Sequence, residues 1–205
     1  MKTRLSTGGT VLAAALTLLL AAGDASAQSG RRGFWLEGMV GTGTVRNTCA
    51  GCPGVTVGYG SAYHLRVGGS LNQRVQLGLE VFSMTASDFR PGPGADPVDA
   101  ENASLAPIVL WYVGRSGFFL KAGAGLARGT FTVESEEGSE LITIERTGSG
   151  LTFGVGFDMR LADWLALTAN LGTYVTAIGD VSVNDTLVDD IIATVYEAGV
   201  GLTLR

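Results

Sequence analysis

The chain has 205 residues, including 31 glycines and 5 prolines, and its formal net charge is −5. That length suits one domain, an apolar content of 46% is too high for a disordered chain, and the acidic balance argues against nucleic acid as a partner. No long apolar run follows the N-terminal region, so we expect no transmembrane helix. The glycines do not recur at every third position as in collagen, and their high number favours strands separated by turns.

The first residues have the features of a secretory signal peptide. Lys2 and Arg4 precede an apolar run, and a small-residue cleavage motif ends at Ala27. We predict that residues 1–27 are removed on export and that residues 28–205 form one domain.

Alternation of apolar and polar residues predicts eight strands. The clearest is residues 151–161, LTFGVGFDMRL, in which odd positions are large and apolar and even positions are small or polar. About eleven residues also suffice for a tilted strand to cross a bilayer. Pro107 would remove a ladder hydrogen bond from the fourth strand, where we expect a bulge. In chain order the predicted strands are residues 34–45, 59–71, 75–85, 102–113, 117–130, 151–161, 164–176 and 191–204.

Short and long connections alternate along the chain. Short turns follow the second, fourth and sixth strands, and long segments follow the others at residues 46–57, 87–101, 134–145 and 179–190. Outer-membrane barrels sort their short periplasmic turns and long external loops in this way. The predicted fold is therefore all-β, a closed antiparallel up-and-down transmembrane barrel of eight strands.

The three tryptophans fall near the predicted short turns. Trp35 opens the first strand, Trp111 ends the fourth and Trp164 opens the seventh. This placement predicts an aromatic belt at the membrane interface, with packing in a core as the alternative.

The mature chain resembles the small eight-stranded outer-membrane barrels of the OmpA/OmpX type. The leader, the glycine-rich alternating strands and the sorted loops carry the resemblance, together with Gly199, Leu202 and Leu204, which are spaced like that family's assembly signal. Arg205 stands where the family usually has an aromatic residue. The resemblance implies an outer-membrane location, contact with lipid and lipopolysaccharide, and engagement of the barrel-assembly machinery. We expect a monomer.

Ionisable residues on the inner faces predict a charge network in the lumen. Counting back from the first short turn places Arg66 opposite Glu80, which predicts a cross-strand ion pair. Eight strands enclose a space that side chains can fill, so we favour a plugged lumen over a charged pore. The predicted network is Glu37, His64, Arg66, Glu80, Lys121, Asp158, Arg160 and Glu197, with Gln76 and Asn170 on the same faces.

Cys49 and Cys52 form a single CxxC motif in the first long loop. Behind a signal peptide we expect a disulfide, with a redox role as the alternative. Zinc needs four ligands and no second pair exists, so we predict no metal and no cofactor.

His64 is the single histidine, which restricts hydrolytic mechanisms. A lipid A-modifying barrel enzyme would need it beside a serine, and neither Ser61 nor Ser70 forms an obvious pair with it. No G-x-S-x-G motif occurs, and we predict no catalytic residue.

Most acidic residues fall in the long loops. They could bridge to lipopolysaccharide through divalent cations, contact a basic partner, or keep the loops solvated. We therefore predict a non-enzymatic barrel that contributes to envelope structure and binds at the surface. The alternatives are a small solute pore, a lipid A-modifying enzyme and a soluble lipocalin-like barrel. The acidic residues are Asp88, Asp96, Asp99, Glu101, Glu134, Glu136, Glu137, Glu140, Asp180, Asp185, Asp189 and Asp190.

Overall fold

The computed structural model describes residues 33–48, 56–89, 98–114, 116–134, 141–183 and 186–205. The predicted leader and both cysteines lie outside these residues. Among the residues described, no helix has the length and apolar character needed to cross a membrane. The strands are β1 Gly33–Thr48, β2 Thr56–Ser70, β3 Val75–Phe89, β4 Val98–Tyr112, β5 Phe118–Glu134, β6 Leu141–Ala162, β7 Leu165–Val183 and β8 Thr186–Leu204.

The eight strands form one closed antiparallel barrel in sequence order, because β8 returns to pair with β1. Register partners can be followed from strand to strand around the barrel, starting at Trp35 of β1. The path returns to β1 at Val45, ten residues further along the strand. Such a stagger tilts the strands against the barrel axis and fixes the bore. The path runs through Gly68, Gly78, Ile108, Gly123, Thr152, Tyr174 and Val195.

Several strands are longer than the sequence pattern predicted. β5 and β6 pair as far as Glu134 and Leu141, and β7 and β8 pair as far as Val183 and Thr186. Six of the twelve residues at 134–145 and ten of the twelve at 179–190 are therefore strand, and those loop predictions were wrong in their bounds. Main-chain pairing continues there without the apolar alternation by which we recognised strands.

The bulge that we predicted at Pro107 is also absent. Pro107 pairs with Leu79 of β3, and the β4–β5 register is the same on both sides of the proline. The missing N–H interrupts the β4–β5 ladder without inserting a residue, so side-chain alternation in β4 is preserved.

Apolar side chains cover the outside of the barrel in a band. Trp111 and Trp164 are 50% and 59% exposed, in keeping with an interfacial position, whereas Trp35 is 1% exposed and lies inside. The prediction for Trp35 was wrong. Trp35 is two residues from Glu37 on the same strand, so both side chains point into the barrel.

Exposed tyrosines mark the opposite edge of this band. Tyr59 and Tyr196 both pair with Thr44 of β1, so the two rings flank one position on the outer surface. From Phe34 to Thr44, β1 advances about 33 Å at ~3.3 Å per residue. A tilt of about 40° reduces that to ~25 Å, the height of a transmembrane apolar band.

Candidate functional site in the barrel lumen

The inward-facing polar residues predicted from the sequence are buried, apart from Arg160. That residue is partly exposed, and its guanidinium pairs with Asp163 at the β6–β7 turn. The others are at most 5% exposed; they are Glu37, His64, Arg66, Gln76, Glu80, Lys121, Asp158, Asn170 and Glu197.

Arg66 lies between two carboxylates. Its Nε donates to Glu80 Oε2, and its terminal nitrogen NH1 lies 2.6 Å from Glu37 Oε1 and 3.4 Å from Met39 Sδ. The three charged residues are register partners on β1, β2 and β3, since Arg66 pairs with both glutamates. Charges buried in this way are stable only when they are paired and hydrogen-bonded.

Glu80 also accepts hydrogen bonds from across the barrel. Lys121 Nζ of β5 lies 2.8 Å from Glu80 Oε2, and Tyr174 OH of β7 lies 2.9 Å from Glu80 Oε1. Lys121 Nζ and Tyr174 OH are themselves 2.8 Å apart. Strands on opposite sides of the barrel are thus joined through one carboxylate.

His64 connects this centre to β8. Its Nδ1 lies 3.1 Å from Tyr174 OH, and its Nε2 lies 3.4 Å from Glu197 Oε2. Asn170 Nδ2 of β7 donates to the other oxygen of Glu197. None of the described hydrogen bonds of His64 involves a serine, as a lipid A-modifying enzyme would require.

A second branch runs from Glu37 toward the short turns. Thr203 Oγ1 donates to Glu37 Oε2 at 2.9 Å and lies 2.6 Å from Thr168 Oγ1, which is 2.9 Å from Asp158 Oδ1. Asp158 also accepts from Tyr112 OH at 2.7 Å and pairs with the guanidinium of Arg205. The chain of contacts from Arg205 to Glu197 is therefore continuous.

Sequence reasoning missed five members of this network. Each lies on an inward position of its strand or directly after it, so parity could have identified all of them. They are Tyr112, Thr168, Tyr174, Thr203 and Arg205.

Comparison with known proteins gives one family. The model of the outer membrane protein beta-barrel domain matches residues 12–203. The chain belongs to this family. It is an integral outer-membrane β-barrel, and no curated protein matches it.

Two solved outer-membrane barrels share its fold. Ail, the attachment invasion locus protein of Yersinia pestis, is 12% identical with a TM-score of 0.54, and the match covers 84% of this chain and 99% of Ail. Neisserial surface protein A is 14% identical with a TM-score of 0.52 over 84% of this chain and 96% of its own. At these identities the likeness shows the fold alone.

The predicted assembly signal of this outer-membrane barrel lies on β8. Leu202 and Leu204 are exposed on the lipid-facing side, while Gly199 faces inward and pairs with Gly41 of β1. The two leucines therefore lie on the outer surface of the barrel.

The charges of the lumen nearly balance. Three basic side chains, Arg66, Lys121 and Arg205, face four carboxylates, and His64 lies between two of these. Among the residues described, no group of three or more acidic, histidine or cysteine side chains could hold a metal ion. The carboxylates are Glu37, Glu80, Asp158 and Glu197.

Apolar side chains pack in the lumen on both sides of the network. Toward the long loops, the rings of Phe82 and Tyr174 stack with centroids 3.8 Å apart and planes 7° apart. Toward the short turns a cluster forms around Trp35 and Phe119.

Inward glycines make room for these large groups. A Cβ on Gly156 would lie 2.2 Å from Phe119 Cζ, and a Cβ on Gly78 would lie 2.8 Å from Trp35 Cζ2. Each bulky side chain thus occupies space that a neighbouring strand leaves free.

Proposed function

We propose that this protein is a closed, non-enzymatic outer-membrane barrel that contributes to envelope structure and binds at the cell surface through its external loops. The closed state is supported by the hydrogen bonds of the Glu80 carboxylate. They come from Arg66 of β2, Lys121 of β5 and Tyr174 of β7. In an eight-stranded barrel these side chains occupy the width of the bore.

The network also favours a structural role over transport. An ion passing the centre would have to separate Arg66 from two glutamates, and separating buried, hydrogen-bonded charges costs several kcal/mol. The stacked rings of Phe82 and Tyr174 lie beside this network and add an apolar barrier. A permanent solute pathway has neither feature.

The proposed partners follow from location and surface. Lipid and lipopolysaccharide contact the apolar band and its polar edge. The outward Leu202 and Leu204 fit recognition by the barrel-assembly machinery. We propose that the folded protein is a monomer.

The test combines two measurements on one detergent-folded sample. Migration on a gel with and without boiling reports a closed barrel, since a folded barrel shifts on heating. Single-channel recording in planar bilayers then reports conduction. A heat shift with silent bilayers is expected, and steady conductance by the wild-type protein would favour the solute-pore alternative and overturn the plugged lumen.

A further inference from the structure

Two neighbouring strands separate beyond the apolar band. β6 and β7 are paired from the β6–β7 turn up to Ser149 and Ala177, where the ladder ends. Both strands continue, β6 back to Leu141 and β7 on to Val183. Over residues 141–148, β6 is hydrogen-bonded to β5 alone, which leaves its other edge unpaired.

β7 is irregular at the level where its pairing with β6 ends. Its register against β8 shifts between Ala177 and Gly179 and again between Gly179 and Val181. Irregularities of this kind bend a strand and increase its twist. These irregularities lie at the level where the β6–β7 ladder ends, while the pairing of β7 with β8 continues to Thr186.

An unpaired strand edge is a template for another strand. Its free N–H and C=O groups can be satisfied by an extended peptide, a mode of recognition known as β-augmentation. At eight residues, the edge of β6 is the longest unpaired one among the strands described, and it is long enough to pair with a typical strand of about five or six residues.

The charge of the two hairpins specifies the occupant. Beyond the end of the β6–β7 ladder, the described parts of β5 to β8 carry five acidic residues and only two basic ones, Arg128 and Arg146. The two arginines and two of the acidic residues lie on β5 and β6, so the excess of negative charge lies on β7 and β8, across the gap from the free edge. A second copy of this chain would bring the same acidic β7–β8 hairpin and be repelled, whereas a basic segment would be attracted. The acidic residues are Glu134, Glu145, Asp180, Asp189 and Asp190.

We propose that residues 141–148 of β6 bind an extended, basic polypeptide segment as an added strand. Main-chain hydrogen bonds to β6 provide the attachment, and the acidic β7–β8 hairpin across the gap selects for lysine and arginine. This inference deepens the proposed surface-binding role and does not depend on whether the lumen conducts.

The probe is a fluorescein-labelled nine-residue peptide of alternating lysine and valine, measured by fluorescence anisotropy against the full-length protein in nanodiscs. Two control peptides replace lysine by glutamate or carry N-methyl groups at alternate residues. We expect the basic peptide to bind at least about tenfold more tightly than either control. Equal binding of the methylated peptide would reduce the interaction to charge attraction and overturn the proposal.

An engineered disulfide in the protein tests whether the peptide binds at the free edge of β6. Thr147 and Gly179 lie two residues beyond the last paired residues of β6 and β7, so a disulfide between these positions would close the gap between the two strands. In a Cys49→Ser/Cys52→Ser background, the Thr147→Cys/Gly179→Cys variant can be closed by oxidation and reopened by reduction. We expect peptide binding to be lost on oxidation and restored on reduction. Unchanged binding by the oxidised variant, with its heat shift intact, would place the peptide elsewhere.

The two proposals fail separately. Conductance by the wild-type protein would remove the plugged lumen and leave peptide binding to β6 unaffected. Absence of peptide binding would remove the added strand and leave the silent barrel unaffected.

Discussion

Arg66 and Glu80 face each other across the β2–β3 ladder, and their side chains pair inside the barrel. Glu37 holds the guanidinium from the other side. Replacing Arg66 by methionine keeps most of the side-chain volume but leaves two buried carboxylates without this partner. We expect Arg66→Met to lower the free energy of unfolding by about 3–5 kcal/mol, measured by urea titration of the lipid-embedded protein.

The matched control for this variant is an exposed ion pair. Arg128 and Glu145 lie 2.6 Å apart on the outer surface, with side chains 55% and 49% exposed. Because water screens such a pair, Arg128→Met should change stability by no more than about 1 kcal/mol. A similar loss in both variants would show that burial of the Arg66 pair has no special importance.

The inward glycine at position 156 should not tolerate a methyl group. An added Cβ would lie 2.2 Å from Phe119 Cζ. We expect Gly156→Ala to destabilise the barrel by about 1–3 kcal/mol through overpacking, and Phe119→Leu in the same chain to recover part of the loss. Gly38→Ala is the control, since nothing lies within 4 Å of its added Cβ. Failure of the double variant to recover would point to a backbone effect.

The contact between Arg205 and Asp158 should stabilise the short-turn end of the barrel. Removing the carboxylate takes away the acceptor for Arg205, Tyr112 and Thr168 together. We expect Asp158→Ala to lower the temperature at which the folded band disappears from a gel. The control is Asp163→Ala, because the Asp163 side chain is 94% exposed and removing it leaves no buried group unpaired. Equal gel transitions for both variants would contradict the argument.

The tryptophans should respond differently to lipid. In vesicles of brominated phospholipid, single-tryptophan variants retaining Trp111 or Trp164 should be strongly quenched because both rings are exposed on the lipid-facing side. A variant retaining only Trp35 should keep most of its fluorescence, since that ring is 1% exposed and packs in the lumen. Strong quenching of Trp35 would show that β1 has the opposite face inward.

Local patterns predicted the fold and part of the lumen. Strand alternation and loop sorting indicate a closed barrel, and counting from a short turn places Arg66 opposite Glu80, because register between hairpin strands is a local property. Burial of Trp35 could have been read from the same alternation, but its position near a short turn misled the interpretation. The alternation of residues along a strand therefore predicts which way a side chain faces better than its distance from a turn does.

Other contacts could not be predicted locally. Arg205 meets Asp158, and Thr203 meets Glu37, because the last strand closes against the first with a stagger that only the whole barrel defines. The extensions of β5 to β8 were missed for a different reason. Outside the bilayer no face is required to be apolar, so the alternation that identifies a membrane strand is lost there.

The glycine-lined wall has a practical consequence for engineering. Because Gly78 and Gly156 each make room for one large ring, the filling of the lumen is concentrated in a few side chains rather than spread over all strands. Truncating Trp35, Phe82 and Phe119 would therefore enlarge the space on either side of the charge network without adding a strand. A narrow nanopore built on this scaffold would in addition require the charged side chains around Glu80 to be replaced by smaller ones.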